Sequence, residues 1–265
     1  MSTQIAAQMY TLREHCETPS DIAKTCAKLK DMGFGSIQAS AAGFSTIDAA
    51  ELKKILDDTG LTCCATHRSF EQLQDKDASI EYHRTLGCKY AAIGGWGWKG
   101  TETQAEWEQF IDEFSQLAAQ YEGSDMKIGY HNHSHEFAPF GLATEPAKIS
   151  PDACPMTVLE KKLGPAAFFE IDTYWVAHGG AEPSAWLKRL AGRIPAIHLK
   201  DITVTSAREH KMCEVGLGNL NWPGILEAAK AAGVEYYIIE RDQGDLDPFE
   251  SLKISLENVK SWGLS

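Results

Sequence analysis

Positive charge is scarce in this sequence, and several features that would assign it to a specialised class are missing. Against 37 Asp and Glu it carries 25 Lys and Arg, a formal net charge of −12. Such a mean field repels nucleic-acid backbones and anionic lipid, so neither is expected as a partner, although a local basic pocket for a small anion survives that argument. The seven cysteines are odd in number and scattered, with no C-x-x-C spacing. They are read as reduced thiols of a cytoplasmic protein rather than as a zinc or redox motif. Met1-Ser-Thr-Gln4 offers no basic region followed by an apolar stretch, so no secretory leader is expected. No apolar run approaches the roughly 18 residues of a membrane span. No Pro-rich linker, low-complexity tract or charge block divides the chain. No G-x-G-x-x-G follows an early strand. The nearest match, Gly94-Gly95-Trp96-Gly97, opens no matching helix, which argues against a dinucleotide-binding open sheet.

What is present is apolar material for a core, 43% of 265 residues, and a regular alternation of two periodicities. Short β-type runs lie at 5–10, 36–39, 61–67, 90–94, 127–132, 167–172, 194–199 and 234–240. Amphipathic helical stretches separate them at 19–32, 47–59, 70–86, 103–121, 155–163, 181–190, 222–232 and 248–262. Thr18-Pro19, Glu182-Pro183 and Asp247-Pro248 read as helix starts, and Gly33, Gly60, Gly87, Gly233 and Gly263 as helix ends. Near-continuous apolar strands indicate a parallel sheet buried on both faces. Eight β/α units without a phosphate loop predict an α/β fold of the (β/α)₈ TIM-barrel type, one domain over 1–265.

A barrel places its chemistry where its strands end. Here the ends read Thr66-His67-Arg68, Gly94 to Trp98, Tyr130-His131-Asn-His133-Ser-His135-Glu136, Glu170-Ile-Asp172-Thr-Tyr-Trp175, His198-Leu-Lys200-Asp201 and Glu240-Arg241-Asp242. Carboxylates and imidazoles converging from four strands suit one divalent ion: Mn²⁺, Mg²⁺, Co²⁺ or Zn²⁺. Such an ion would hold two adjacent oxygens of a polyol and stabilise the enediolate formed when a proton leaves the carbon beside a carbonyl. Two glutamates flanking the ion would remove and return that proton. Plainer roles compete: Asp172 as a helix cap, with Thr173-Tyr-Trp a poor first turn; His198 as a core histidine; Lys200 paired to Asp172 or Asp201; Trp96 and Trp98 as caps of the barrel mouth; Glu214 as a solvated loop charge.

Phe169-Glu-Ile-Asp172-Thr-Tyr-Trp175, Ile197-His-Leu-Lys-Asp201, Val215-Gly-Leu-Gly-Asn-Leu-Asn-Trp222 and Ile238-Ile-Glu240-Arg-Asp242 follow one another in an order and spacing that resembles the sugar phosphate isomerase/epimerase family of xylose isomerase-like TIM barrels. The resemblance implies a cytoplasmic, metal-dependent isomerase or epimerase of carbohydrate metabolism, with manganese among its metals. Its small-molecule partner would be a sugar or sugar derivative, and the reading leaves room for a homo-oligomer. It implies Asp172, His198 and Glu240 as metal ligands. The fifth strand departs from the family glutamate, and Glu136 is assigned as its ligand, with His133 or His131 as the alternative. Glu240 is then the principal base, and Glu136 or His133 its partner. His67, Trp98, Trp175, Lys200 and Arg241 are expected to bind substrate. A lyase of the same superfamily, an inosose-type dehydratase or a keto-glycoside cleaving enzyme, is the alternative. An abasic-site endonuclease is disfavoured by the acidic charge, and a non-catalytic sugar-binding barrel is the remaining reading.

Overall fold

The computed structural model describes residues 4–141, 150 and 153–264, so residues 1–3, on which the expectation about a leader rests, lie outside it. The apolar runs form strands β1 (Gln4–Gln8), β2 (Ser36–Ala39), β3 (Thr62–His67), β4 (Tyr90–Ile93), β5 (Lys127–His131), β6 (Phe168–Asp172) and β7 (Ala196–Leu199). An antiparallel hairpin, β8 (Asp201–Val204) and β9 (His210–Cys213), follows before β10 (Tyr236–Ile239). Strands β1 to β7 and β10 are parallel and closed on themselves, with β1 pairing β2 on one side and β10 on the other. This is the closed α/β barrel the alternation predicts.

Helices between the strands start and stop at the signals written in the chain. In the helix Pro19–Met32, Thr18 accepts a hydrogen bond from the Asp21 N–H at 3.2 Å, Pro19 fills the first turn, and Ile22, Cys26 and Leu29 form the buried stripe. It ends at Gly33, whose φ of +96° is one a side chain rarely adopts. Several boundaries differ from the expectation, two of them for a reason visible in a side chain. The strand read over 5–10 stops at Gln8, because the Gln8 side chain accepts from Tyr10 N and starts a 3₁₀ turn over Met9–His15. The helix read over 70–86 divides at Asp75, whose carboxylate accepts from Ala78 N and caps a new helix, Lys76–Leu86.

The strand period of two sorts the barrel interior into levels. At the amino-terminal end Ala6, Cys64, Ala65, Ala196 and Ile238 pack together with Tyr90 and Tyr236. Phe168 fills the space left by Gly129, where a Cβ would stand 2.5 Å from its ring. Two and four residues further along, the same faces carry Glu170 and Asp172 on β6, His198 and Lys200 on and after β7, and Glu240 after β10, all buried. An apolar plug thus supports a polar layer at the strands' carboxyl ends. All seven cysteines are free thiols. Among the described residues, no helix is long and apolar enough to cross a membrane.

Candidate metal centre and cavity

Pairing across β6 and β7 sets Asp172 opposite His198, and the ladder continues as Glu240 N donates to Leu199 O at 3.1 Å. That register draws four buried side chains from four strand ends to one point. His131 Nε2 lies 3.1 Å from His198 Nδ1 and 3.6 Å from Asp172 Oδ2. His198 Nδ1 lies 2.8 Å from Glu240 Oε2 and 3.6 Å from Asp172 Oδ2. One donor atom from each of His131, Asp172, His198 and Glu240 falls within 4.8 Å of the others.

A second layer orients the first. Gln38 Oε1 accepts from Gln8 Nε2 at 2.8 Å and lies 2.7 Å from His198 Nε2, so the latter must carry a proton and Nδ1 is the nitrogen turned to the cluster. Gln38 Nε2 donates in turn to Glu170 Oε1 at 2.7 Å, and Glu170 Oε2 lies 2.6 Å from His67 Nε2. Burial alone would neutralise these groups, but they charge one another. Burial opposes a charged His198, yet Glu170 and Glu240 outweigh it and hold the imidazole well above the usual histidine range. Burial likewise raises the Glu170 and Glu240 carboxyls, but His198 and His67 in the first case, and Lys200 and His198 in the second, bring both well below the usual carboxylate range.

Lys200 is fully buried beside this cluster. Its Nζ lies 3.0 Å from Glu240 Oε2, 3.4 Å from Asp172 Oδ2 and 2.7 Å from Asp242 Oδ1, and 5.2 Å from the centre of the Trp175 ring. Asp172, which caps a helix after all (Thr173–His178), divides its carboxylate between two tasks. Oδ1 accepts from Trp175 N at 3.0 Å, while Oδ2 faces the cluster, buried and without a hydrogen-bond partner.

The remaining candidates are placed as follows. Glu136 is turned away from the cluster: β5 ends at His131 and a 3₁₀ turn carries the carboxylate to Tyr130 Oη (2.7 Å) and His133 N (2.8 Å). There burial holds its carboxyl above the ordinary range. His131 occupies the strand-five place instead. His133 lines the cavity, its ring 4.9 Å from that of His131, and burial pushes its imidazole down to about 2. His67 and Trp98 line the cavity too, whereas Trp175 packs at 5.1 Å against His133. Arg241 points elsewhere, its guanidinium bonded to Glu214 and to Leu246 O; Glu214 is therefore a buried partner of Arg241, not a solvated charge. Trp96 stacks on Phe110 at 4.7 Å. Gln8, Gln38, Glu170 and Asp242 were not singled out from the sequence. Glu170 stands two residues before Asp172 on the same strand, so strand alternation is the signal that reaches it, whereas Asp242 lies three residues beyond the end of β10, where alternation no longer applies.

The donor set suits a divalent ion: two imidazole nitrogens 3.1 Å apart and two carboxylate oxygens, one of them a buried oxygen that accepts no hydrogen bond. Over 146 residues the chain is 28% identical to inosose dehydratase of Geobacillus kaustophilus, covering 50% of this chain and 44% of that protein, less than half its length. A sugar phosphate isomerase/epimerase from Parabacteroides distasonis is similar over 98% of both chains, with a TM-score of 0.79 and 23% identity. D-Allulose 3-epimerase from Methylomonas sp., solved in complex with D-allulose, is similar over 98% of this chain and 99% of that one, with a TM-score of 0.70 and 14% identity. At these identities the structural likeness is one of fold. Residues 26–262 match the family model of the xylose isomerase-like TIM barrel, and the chain belongs to that family.

Proposed function

We propose that this protein is a divalent-metal-dependent enzyme that isomerises or epimerises a small, uncharged keto sugar or related polyol by moving a proton on the carbon beside its carbonyl. The observation that supports it most is the convergence of His131, Asp172, His198 and Glu240 beside a cavity of about 250 Å³ at the carboxyl ends of the strands. That volume lies below the roughly 300–1,000 Å³ of sites for drug-sized molecules, which favours a small ligand. An ion held by those four residues supplies Lewis-acid polarisation of the substrate's oxygens. Two imidazoles in the set favour Mn²⁺, Co²⁺ or Zn²⁺ over Mg²⁺.

Glu240, kept ionised by Lys200 and His198, is the base that takes the proton from the reacting carbon. His67, gripped at Nε2 by Glu170 and lining the cavity three strands round the barrel from β10, supplies a second proton to the neighbouring atom or the opposite face, while Glu240 keeps the first until it is lost to solvent. Trp98 offers a flat wall for the C–H face of a sugar, and neutral His133 a polar edge beside it. Among the described residues Lys200 is the one cationic side chain lining the cavity, and three carboxylates already surround it. That leaves no surplus charge for a phosphate, which is why an uncharged substrate is favoured.

The likeness to inosose dehydratase favours a second reading, in which the same proton abstraction is followed by loss of a β-hydroxyl, protonated by His67 as the C–O bond breaks. A panel of ketoses and inososes incubated in D₂O with Mn²⁺ separates the two. Deuterium entering one carbon without mass loss supports isomerisation or epimerisation, and loss of water supports dehydration. Glu240→Gln is expected to abolish exchange while keeping the fold. Exchange undiminished in that variant, or no substrate exchanging and no stoichiometric divalent ion in protein purified without chelator, refutes the proposal.

A further inference from the structure

Lys200 makes its two contacts with the cluster at the very atoms that face the ion site. Glu240 Oε2 is 3.0 Å from Lys200 Nζ and 2.8 Å from His198 Nδ1, and Asp172 Oδ2 is 3.4 Å from the one and 3.6 Å from the other. An ammonium and a divalent cation cannot share those oxygens without strong mutual repulsion. The third partner, Asp242 Oδ1 at 2.7 Å, lies outside the ion-binding group, and its carboxylate is partly open to the cavity, with 23% of the side chain exposed. A four-carbon stem lets the ammonium pivot where a guanidinium would not.

We infer that Lys200 is a resident counter-ion that a divalent metal displaces from Asp172 and Glu240 onto Asp242, so that Asp242 acts as a positioning residue that sets metal affinity without touching the ion. The inference rests on the metal reading of the cluster. In the metal-free protein the ammonium neutralises carboxylates that would otherwise repel one another, and in the metal-loaded protein Asp242 holds the displaced ammonium at the cavity wall, where it meets a substrate oxygen.

Calorimetric titration of Mn²⁺ into the full-length wild type, Lys200→Met, Asp242→Asn and the double variant tests this. Lys200→Met is expected to bind at least 10-fold more tightly than wild type, and Asp242→Asn at least 10-fold more weakly. In the Lys200→Met background Asp242→Asn is expected to cost under about 3-fold, because no ammonium then needs a place. Unchanged or weakened binding in Lys200→Met, or an equal cost of Asp242→Asn in both backgrounds, overturns the inference while leaving the metal site standing. No binding by any of the four proteins overturns both. If Lys200→Met does not fold, Asp242→Glu against Asp242→Asn decides: affinity kept by Glu and lost by Asn supports the displacement, and equal loss in both overturns it.

Discussion

His131 and Glu136 show what a residue's type tells and what its direction withholds. Both are buried, both belong to the polar tract after β5, and a metal-binding carboxylate was the natural choice. The decisive fact is that the strand ends at His131, so alternation no longer applies to the residues beyond it and a turn aims Glu136 at Tyr130. Asp172, His198 and Glu240, each at or next to a regular strand end, were legible because alternation still governs them. That Asp172 Oδ1 caps a helix while Oδ2 faces the cluster was not, since a sequence offers cap and ligand as rivals. The geometry assigns different consequences to the two tract residues. His131→Ala is expected to lose stoichiometric Mn²⁺ with a modest change in melting temperature. Glu136→Gln is expected to keep it, and to lose about 1–2 kcal/mol because the amide oxygen can accept from His133 N or from Tyr130 Oη but not from both. Metal content after gel filtration, read beside the melting curve, checks both. Metal lost from Glu136→Gln with metal kept in His131→Ala would reverse the assignment.

At the scale of elements, the barrel strands and their flanking helices were legible because burial on both faces writes long apolar runs and because caps are local chemistry. The β8–β9 hairpin was not, as half of its strand residues, Asp201, Thr203, His210 and Lys211, are polar and break the apolar run. What fixes it is a buried carboxylate. Asp201 accepts from Ile202 N (2.9 Å), Gly216 N (2.9 Å), Gly218 N (3.1 Å) and Trp222 Nε1 (2.7 Å), tying the hairpin to the following loop and helix. Gly218 has no side chain because a Cβ there would stand 2.3 Å from Asp201 Oδ1. Asp201→Ala strands two buried donors, Ile202 N and Trp222 Nε1, and two part-buried ones at once, a loss of about 3 kcal/mol. For a chain of this size that corresponds to roughly 6–12 °C in melting temperature. A shift under a few degrees by differential scanning calorimetry would mean that water or a rearranged loop satisfies those donors instead.

Across the whole molecule, part of the acid sensitivity follows from a histidine outside the site. His83, fully buried in the helix Lys76–Leu86, has Nδ1 2.7 Å from Ser79 O and Nε2 2.8 Å from Thr66 Oγ1. A carbonyl can only accept, so Nδ1 carries the proton and in the neutral ring Nε2 accepts from Thr66; a charged ring would keep both contacts, since a hydroxyl also accepts, but would bury its charge near the cationic Arg68. Burial accordingly pushes the imidazole down to about 4. In the unfolded chain it titrates near about 6.5. Because the folded value is the lower, the stability it contributes is complete above about pH 6.5 and is lost as the pH falls towards about 4, where the unfolded chain binds a proton that the folded one refuses. A shift of that size is worth about 3 kcal/mol. The melting temperature is therefore expected to fall by several degrees between pH 6.5 and 4, and His83→Gln, which cannot titrate, is expected to flatten that slope whatever it does to stability at neutral pH. Parallel slopes for the two proteins would place the acid sensitivity elsewhere, in His133, whose buried imidazole is pushed further down, or in the carboxylates of the candidate metal site, whose protonation would then show as a chelator-dependent slope.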